Sequence, residues 1–198
     1  MAILFGPRRC TIPISGAKLL KTGQTTSYVT GDDGDIEAGR DVDFFTLAVN
    51  NPFGNTNRFT DELGGSTYTN NIVIDWSTYD GVEVLGYYYD NWAASNWNDA
   101  VSWANSLSIS TFVSGWRLPN AREAMNVIYF GSSANALNYS PFNLAVSVNV
   151  WTGTTAGNNS ANALALVQSW QSVAINAKTL TNRQWAARNF TVTGTTLT

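Results

Sequence analysis

Residues 96–129 predict two short, capped amphipathic helices joined by a loop. Asn96 can cap the first helix, because its side chain can accept a hydrogen bond from a backbone N–H of the first turn. The second helix follows the sequence Trp-Arg-Leu-Pro-Asn at residues 116–120. There Asn120, with Glu123 three residues later, forms an Asn variant of the capping box. Apolar residues recur at the helical period along the first helix, at Trp97, Ala100, Val101, Ala104 and Leu107.

Strand patterns lie on both sides of these helices. Apolar runs at residues 72–76 and 82–89 predict two strands before them. Residues 57–70 suggest a hairpin that turns at Gly64 and Gly65. After the helices, an antiparallel meander of four strands is predicted at residues 149–155, 163–170, 171–177 and 185–192.

These elements together predict an α+β fold, in which two helices pack on a twisted antiparallel sheet. The folded domain is expected to span residues 57–198. Residues 1–56 are irregular and rich in turns, apart from an edge-strand pattern at residues 12–14 and a short strand predicted at residues 41–49. We therefore expect them to form an extended N-terminal arm.

The composition excludes several classes of site. The 198-residue chain has no His, which excludes His-dependent acid–base catalysis and His-ligated zinc. Its single Cys, Cys10, allows neither an internal disulfide nor a multi-thiolate metal site, and no cofactor is expected. The net charge of −3 and the lack of a basic cluster argue against nucleic acid as a partner. A glycosidase needs a pair of carboxylates, and the candidate carboxylates here do not have a recognisable spacing for such a pair, so no catalytic residue is predicted. These carboxylates are Asp75, Asp80, Glu83, Asp90 and Asp99.

The amino terminus does not have the pattern of a secretory signal peptide. The apolar run at residues 2–5 is short, and Arg8 and Arg9 follow it instead of preceding it. No stretch approaches the ~20 apolar residues of a membrane-spanning helix. The chain is therefore expected to be made in a cytoplasm and to have no membrane partner. Assembly into a virion that is released by lysis of the host would carry such a protein outside the cell.

Several blocks of the sequence resemble the Lcl carboxy-terminal domain family, which is named for a bacterial collagen-like adhesin and is common in bacterial surface proteins and phages. The blocks are residues 21–28, 31–35, 58–61, 97–105, 116–123, 151–155 and 187–190. Together they extend over roughly residues 20–192. The resemblance implies a C-type lectin-like fold, similar to that of the formylglycine-generating enzymes. Those enzymes rely on paired cysteines that this chain lacks, so their activity is not expected here.

Calcium binding is a hypothesis at two acidic segments. The Trp-Asn-Asp of residues 97–99 resembles the calcium motif of true C-type lectins, but here it opens a helix. The Leu-Pro-Asn of residues 118–120 lacks the carboxylate that accompanies that motif, so calcium-dependent sugar coordination is not expected. Asp32, Asp33 and Asp35 could hold calcium through carboxylate oxygens, although a solvated turn rich in Gly and Asp is the favoured interpretation.

The loops in the C-terminal part of the chain supply the candidate ligand-binding residues. These combine amide, guanidinium and indole groups and are Asn158, Asn159, Trp170, Gln171, Asn176, Asn182, Arg183 and Gln184. Such a composition suits polar, hydrated recognition, and ordinary polar turns are the alternative. An aromatic cluster is a candidate interface, and core packing is the alternative interpretation. The cluster consists of Tyr87, Tyr88, Tyr89 and Trp92. Arg117 and Arg188 are expected to be structural arginines that tie the loop before the second helix to the sheet.

These features together predict a non-enzymatic phage virion protein, located on the tail or capsid, with a lectin-like module for attachment to the host surface. Its expected partners are a host-surface glycan or protein, other virion proteins that its N-terminal arm contacts, and further copies of itself. Two alternatives stay open. One is a structural decoration or assembly subunit of the virion, and the other is a bacterial surface adhesin.

Overall fold

The computed structural model describes residues 24–36, 43–131, 135–144 and 148–198. In these residues the chain forms a mixed α+β fold with ten strands and three α-helical segments. The strands are β1 (Phe59–Thr60), β2 (Ile72–Asp75), β3 (Glu83–Tyr88), β4 (Ala94–Ser95), β5 (Asn149–Thr155), β6 (Asn162–Val167), β7 (Ser172–Ala177), β8 (Asn182–Arg183), β9 (Ala186–Thr193) and β10 (Thr196–Leu197). The helices are the single turn α1 (Asp33–Ile36), α2 (Trp97–Ser106) and α3 (Ala121–Asn126). The α+β prediction is thus confirmed.

The strands form two sheets where the sequence predicted one. The first has the order β1-β2-β3-β9-β10, and the second has the order β4-β8-β5-β6-β7. The predicted meander is correct for β5, β6 and β7, which pair in succession. It is wrong for the last strand, because β9 leaves this sheet and pairs with β3 in the first one. The chain crosses between the sheets at residues 184–185, directly after β8.

The first sheet is covered on both faces by apolar side chains. Val73, Tyr87 and Ala187 lie opposite one another across β2, β3 and β9, and all three belong to the core cluster that includes Ala124 of α3. The other face belongs to a second cluster, to which α2 contributes Ala100. The two helices therefore pack in different core clusters, on opposite faces of this sheet.

Gly86 leaves room for two buried side chains of the first sheet, those of Ile74 and Phe190. It lies opposite Ile74 of β2 and Arg188 of β9. A Cβ atom at this position would lie 2.6 Å from Cε2 of Phe190 and 2.8 Å from Cδ1 of Ile74. Both neighbours are fully buried, so neither has room to move away.

We therefore expect Gly86→Ala to lower the free energy of unfolding by about 1–3 kcal/mol, the usual cost of overpacking a core. The measurement is urea-induced unfolding followed by tryptophan fluorescence. Gly157→Ala is the matched control, because nothing lies within 4 Å of a Cβ built on that exposed glycine. The close-packing argument fails if the two variants are equally stable.

Both predicted helix caps are present. The Asn96 side chain accepts a hydrogen bond from the N–H of Asp99, at 3.0 Å. Asn120 accepts from the N–H groups of Arg122 and Glu123, and the Glu123 carboxylate accepts from the N–H of Asn120, which completes the capping box. The sequence was sufficient here because a cap and its partners lie within three residues of each other.

The loop before α3 is tied to β9 and β5 by its backbone, whereas the side chain of Arg117 pairs with Glu123 and not with the sheet. The backbone of Arg117 exchanges two hydrogen bonds with Ala187, at 3.0 and 2.7 Å. Its guanidinium forms a two-bonded ion pair with Glu123, with both N–O distances 2.7 Å. The Gly153 N–H donates to the carbonyl of Pro119, where the pairing of β5 with β6 is irregular. Arg188 instead packs over the rings of Phe112 and Phe190.

A buried ion pair lies where β1, β2 and the end of α3 meet. Arg58 donates from Nε and Nη2 to the two carboxylate oxygens of Asp75, at 2.9 and 2.8 Å, and both side chains are 0% exposed. The guanidinium carbon lies over the rings of Phe44 and Phe59, at 4.3 and 4.5 Å from their centres. Burial lowers the pKa of Arg58, but the charge and hydrogen bonds of Asp75 outweigh that effect and raise this pKa above its ordinary value.

Two predictions for the first third of the chain are wrong. Residues 43–49 form turns with one isolated bridge at Thr46 instead of a strand, and residues 41–42 lie outside the described part. The expected hairpin does not form either, because β1 pairs with β2 and residues 66–71 are irregular. Asp61 explains this. Its carboxylate accepts hydrogen bonds from three backbone N–H groups, those of residues 63, 65 and 67, which folds the segment into a local turn.

The segment assigned to the N-terminal arm is partly packed onto the domain. Phe44 and Leu47 are buried, one in each core cluster. Residues 1–23 and 37–42 of the arm lie outside the described residues, as does Cys10. In the described residues no helix has the length and apolar character needed to cross a membrane.

Candidate ligand-binding site

A cleft of about 410 Å³ lies at the β4 edge of the second sheet. Its lining residues come from β4, β8 and the start of β5, and they are Ala94, Val148, Asn149, Thr181, Asn182 and Arg183. The strand pairings explain why these distant segments meet. Ala94 is the antiparallel partner of Arg183, and Val150 pairs with the same residue in parallel.

Asn182 lines this cleft, but its side-chain amide nitrogen is buried. Its side chain is only 8% exposed, and its amide nitrogen has no hydrogen-bond partner in the described part of the chain. A buried amide N–H without a partner costs about 1–3 kcal/mol. Rotation of the side chain toward the cleft would allow a bound acceptor atom, such as a hydroxyl oxygen, to satisfy this group. The arrangement therefore favours a ligand with hydrogen-bond acceptors.

Arg183 is held in place with donors to spare. Its Nη1 donates to the carbonyl of Trp92 at 2.7 Å, which fixes the half-buried side chain against the turn before β4. A guanidinium has five N–H donors, and no carboxylate of the described residues forms an ion pair with this one. Thr181 adds a hydroxyl and Asn149 an amide to the same wall. None of the described residues that line the cleft is acidic.

Gln184 helps to hold β4 and β8 together beside the cleft. Its side chain is 6% exposed, and its Oε1 accepts a hydrogen bond from the Ser95 hydroxyl at 2.6 Å. Its backbone N–H donates to the carbonyl of Ala93. These bonds join β8 to β4, so we assign Gln184 a positioning role instead of direct ligand contact.

The other predicted ligand-binding residues do not reach this cleft. Asn158 and Asn159 lie in the exposed turn between β5 and β6, and Asn176 is near the same end of the neighbouring strand β7. Gln171 lies at the opposite end of β7, five residues from Asn176, with a positive φ of 49°. At about 3.3 Å per residue, that spacing is roughly 17 Å. Trp170 ends a 3-10 turn, and its side chain lies outside the described part.

The aromatic cluster is core for two of its members, which corrects the interface prediction. Tyr87 is fully buried, stacks on Trp185 with ring centres 5.2 Å apart, and donates its hydroxyl to the carbonyl of Glu123. Trp92 is buried and donates to the carbonyl of Phe142. Tyr88 and Tyr89 are half-buried. The prediction failed because β3 is a central strand with both faces covered. Successive side chains along it therefore point alternately into one core cluster and then into the other.

Alkaline pH is expected to unfold the protein, because three tyrosines have their pKa raised by burial in the fold. Burial raises the pKa of Tyr87 and Tyr139 well above 10, and burial together with Asp61 raises the pKa of Tyr68 to about 12. A folded pKa above the unfolded value means that the neutral form is favoured in the fold. The resulting stability is present below about pH 10 and is lost as the pH rises through 10 toward the folded values.

The measurement is the free energy of urea unfolding between about pH 8 and pH 11. We expect a plateau at the lower pH values and a steep fall above about pH 10. Tyr87→Phe removes one of the titrating hydroxyls, so the fall should be less steep in that variant. A stability that is constant up to about pH 11 would contradict the prediction.

Asp32 and Asp35 form a local turn rich in Gly and Asp, which is the interpretation favoured over a calcium site in the sequence. Asp32 accepts hydrogen bonds from the N–H groups of Tyr28 and Asp35, at 2.8 and 3.0 Å. Asp35 in turn accepts from the N–H of Gly31 at 2.9 Å. These carboxylates therefore serve the local backbone. In the described residues, no group of three or more Cys, Asp or Glu side chains is placed to hold a metal ion.

Of the six described residues that line the cleft, the sequence predicted Asn182 and Arg183 and missed the other four. Thr181 directly precedes the predicted pair Asn182 and Arg183, so its position in the chain was a usable signal. Asn149 and Ala94 had no such signal, because only the β5–β8 and β4–β8 pairings bring them to the site.

In comparisons with known proteins, no protein-family model and no curated protein matches this chain. The resemblance to the Lcl family therefore stays a hypothesis.

Proposed function

We propose that this protein is a non-enzymatic phage virion protein, on the tail or capsid, that attaches to a host-surface glycan through the β4–β8 cleft. The observation that carries the proposal is the cleft wall, where Thr181 offers a hydroxyl and Arg183 a guanidinium, and where the buried amide nitrogen of Asn182 between them has no partner among the described residues. Sugars present many hydroxyl oxygens, and a few well-placed polar groups are what orients such a ligand.

The fold supports the same proposal. Two capped helices combined with two sheets are compatible with a C-type lectin-like domain, which is the fold that the Lcl resemblance implies. The helices bring the loop at residues 116–120 against β5 and β9, so the blocks that carry the resemblance contact one another. The cleft itself lies at a sheet edge beside the loops, where lectin-like folds display their ligands.

Four carboxylates have structural partners, which supports a binding role over catalysis. Asp75 is part of the buried ion pair, Asp99 bonds to the Asn96 cap, and Glu123 is held by Arg117. Asp80 accepts from the backbone N–H groups that begin β3. A glycosidase needs two carboxyl groups free to face a substrate.

Docking on the virion is proposed for residues 1–20, upstream of the packed Phe44 and Leu47. This part of the proposal comes from the sequence, since those residues lie outside the described ranges. It predicts that deletion of residues 1–20 abolishes incorporation into particles while the purified domain still folds.

Blocking the cleft is expected to weaken attachment at least tenfold, about 1.4 kcal/mol of binding free energy. Thr181→Trp places a large side chain at the cleft wall, and Thr181 is exposed, so the fold should tolerate the change. The assay is binding of fluorescently labelled protein to intact candidate host cells, with and without a calcium chelator. We expect saturable binding that the chelator does not change.

Asn158→Trp is the matched control, because it adds the same bulk to an exposed loop at a distance from the cleft. It also tests the other predicted ligand-binding loop. Loss of binding in Asn158→Trp but not in Thr181→Trp would place the site at the β5–β6 turn. Absence of binding to every candidate host by a folded sample would favour a structural subunit of the virion.

A further inference from the structure

Strand β7 is the long edge strand of the described sheets. The other three sheet edges are β1, β10 and β4, and each is a strand of only two residues. Strand β7 has six residues, Ser172–Ala177, and no described strand pairs with its outer side. Short edge strands limit pairing between molecules, whereas a long one offers a row of unpaired backbone groups.

The hydrogen-bond pattern shows which groups point outward. Asn162 lies opposite Ala177, and the Lys178 N–H donates to the carbonyl of Ala161 in continuation of the same ladder. Because hydrogen bonding alternates along an antiparallel pair, residues 172, 174 and 176 bond to β6. The backbone N–H groups of Val173, Ile175 and Ala177 therefore point away from the sheet.

The side chains of β7 do nothing to protect this edge. The strand reads Ser-Val-Ala-Ile-Asn-Ala, without a charge or a proline. Natural edge strands are usually protected by Lys, Pro, inward charges or a bulge. Ile175 is 52% exposed and lies on the same face as Val173, which packs against the core. The edge thus combines unpaired backbone with an exposed apolar side chain.

We propose that two copies of this protein pair through β7, antiparallel, across a twofold axis at Ile175. The outward residues are three in number and centred on Ile175, so the axis places Ile175 opposite its own copy and Val173 opposite Ala177. The N–H and carbonyl of each Ile175 then bond to those of the other copy. A second copy is the occupant that fits best, because it matches the edge in length and brings no charge to it.

The pairing leaves the proposed ligand site free. In the sheet order β4-β8-β5-β6-β7, the cleft belongs to one edge and β7 forms the other. A dimer through β7 therefore carries its two clefts at the outer ends of one continuous sheet. The dimer does not depend on the proposed function, but if that function holds, two clefts would raise the avidity for a repetitive surface.

The test is sedimentation velocity of the full chain over a range of concentrations, since an interface this small is expected to be weak. We expect a monomer–dimer equilibrium for the natural sequence and a monomer for Ile175→Lys. Ile175→Pro should also be monomeric, because it removes an outward N–H and no ladder bond to β6. Val113→Lys, an exposed apolar residue elsewhere, is the control and should dimerise normally.

A cysteine crosslink tests the proposed register of the two β7 strands. In a Cys10→Ser background, Ile175→Cys should form a disulfide between copies, because residues opposite each other in a hydrogen-bonded pair have Cα atoms about 5.5 Å apart. Val113→Cys should not. The proposal is overturned if the natural sequence is monomeric throughout, or if Ile175→Lys and Ile175→Pro both still dimerise. Protection of the Ile175 amide from hydrogen exchange in a monomer would also overturn it, and would show that this chain covers its own edge.

Discussion

Replacing Asp75 with alanine is expected to lower the free energy of unfolding by about 3–5 kcal/mol, because it leaves the Arg58 charge buried without a partner. Both side chains of the pair are 0% exposed, so water cannot take the place of the lost carboxylate. The measurement is urea unfolding at neutral pH. Because a domain of this size is typically stable by only about 5–15 kcal/mol, the variant should be strongly destabilised.

The neighbours of the pair cannot compensate for the loss. Asp75 also accepts hydrogen bonds from the Asn126 amide at 2.9 Å and from the Ser77 hydroxyl at 2.7 Å. Arg58 donates to the carbonyls of Phe44 and Asn126, at 3.3 and 2.7 Å. Removal of the carboxylate therefore takes an acceptor from donors on three residues, and the cost is largest at the fully buried Arg58, because an unpaired donor in a dry site is costly.

The control for this prediction is Asp80→Ala, which removes an exposed carboxylate that bonds only to nearby backbone N–H groups in the described residues. We expect a much smaller loss there. The double variant Arg58→Met with Asp75→Leu should be more stable than Asp75→Ala, since it removes both charges. A loss of less than about 1 kcal/mol in Asp75→Ala would contradict our account of the ion pair.

The sequence predicted the helix caps of this fold and not its buried ion pair. The caps at Asn96 and Asn120 were predictable because each acts on backbone atoms a few residues away. The pairing of Arg58 with Asp75 joins residues 17 positions apart, and its link to Asn126 spans 51. No pattern of period 2 or 3.6 encodes such contacts.

The candidate site shows the same division. The prediction of Asn182 and Arg183 relied on composition, and these residues do line a cleft. Composition could not show that Asn158 and Gln171 would lie at opposite ends of the strands, or that Tyr87 would be buried. Those outcomes depend on which strands pair and on which faces are covered. The meander of β5, β6 and β7 separates Asn158 from Gln171, and the pairing of β9 with β3 makes β3 a central strand and buries Tyr87.

Trp185→Ala is expected to lower the free energy of unfolding by about 3–5 kcal/mol, the usual cost of removing a large aromatic side chain from a core. Trp185 is 0% exposed and lies where the chain leaves β8 for β9. Its ring stacks on Tyr87, with centres 5.2 Å apart, and approaches Trp92 at 6.0 Å. It therefore contacts the first sheet and the turn that Arg183 holds.

The indole N–H of Trp185 adds a polar link that a smaller aromatic side chain cannot replace. It donates to the carbonyl of Trp151 at 2.8 Å, at the end of the regular pairing between β5 and β6. Trp185→Phe keeps most of the packing but leaves that buried carbonyl without the indole donor, so we expect a loss of about 1–3 kcal/mol. Trp103→Phe is the matched control, because Trp103 is only half-buried, and its loss should be smaller. Equal losses in the two Phe variants would mean that the indole bond does not help to join the sheets.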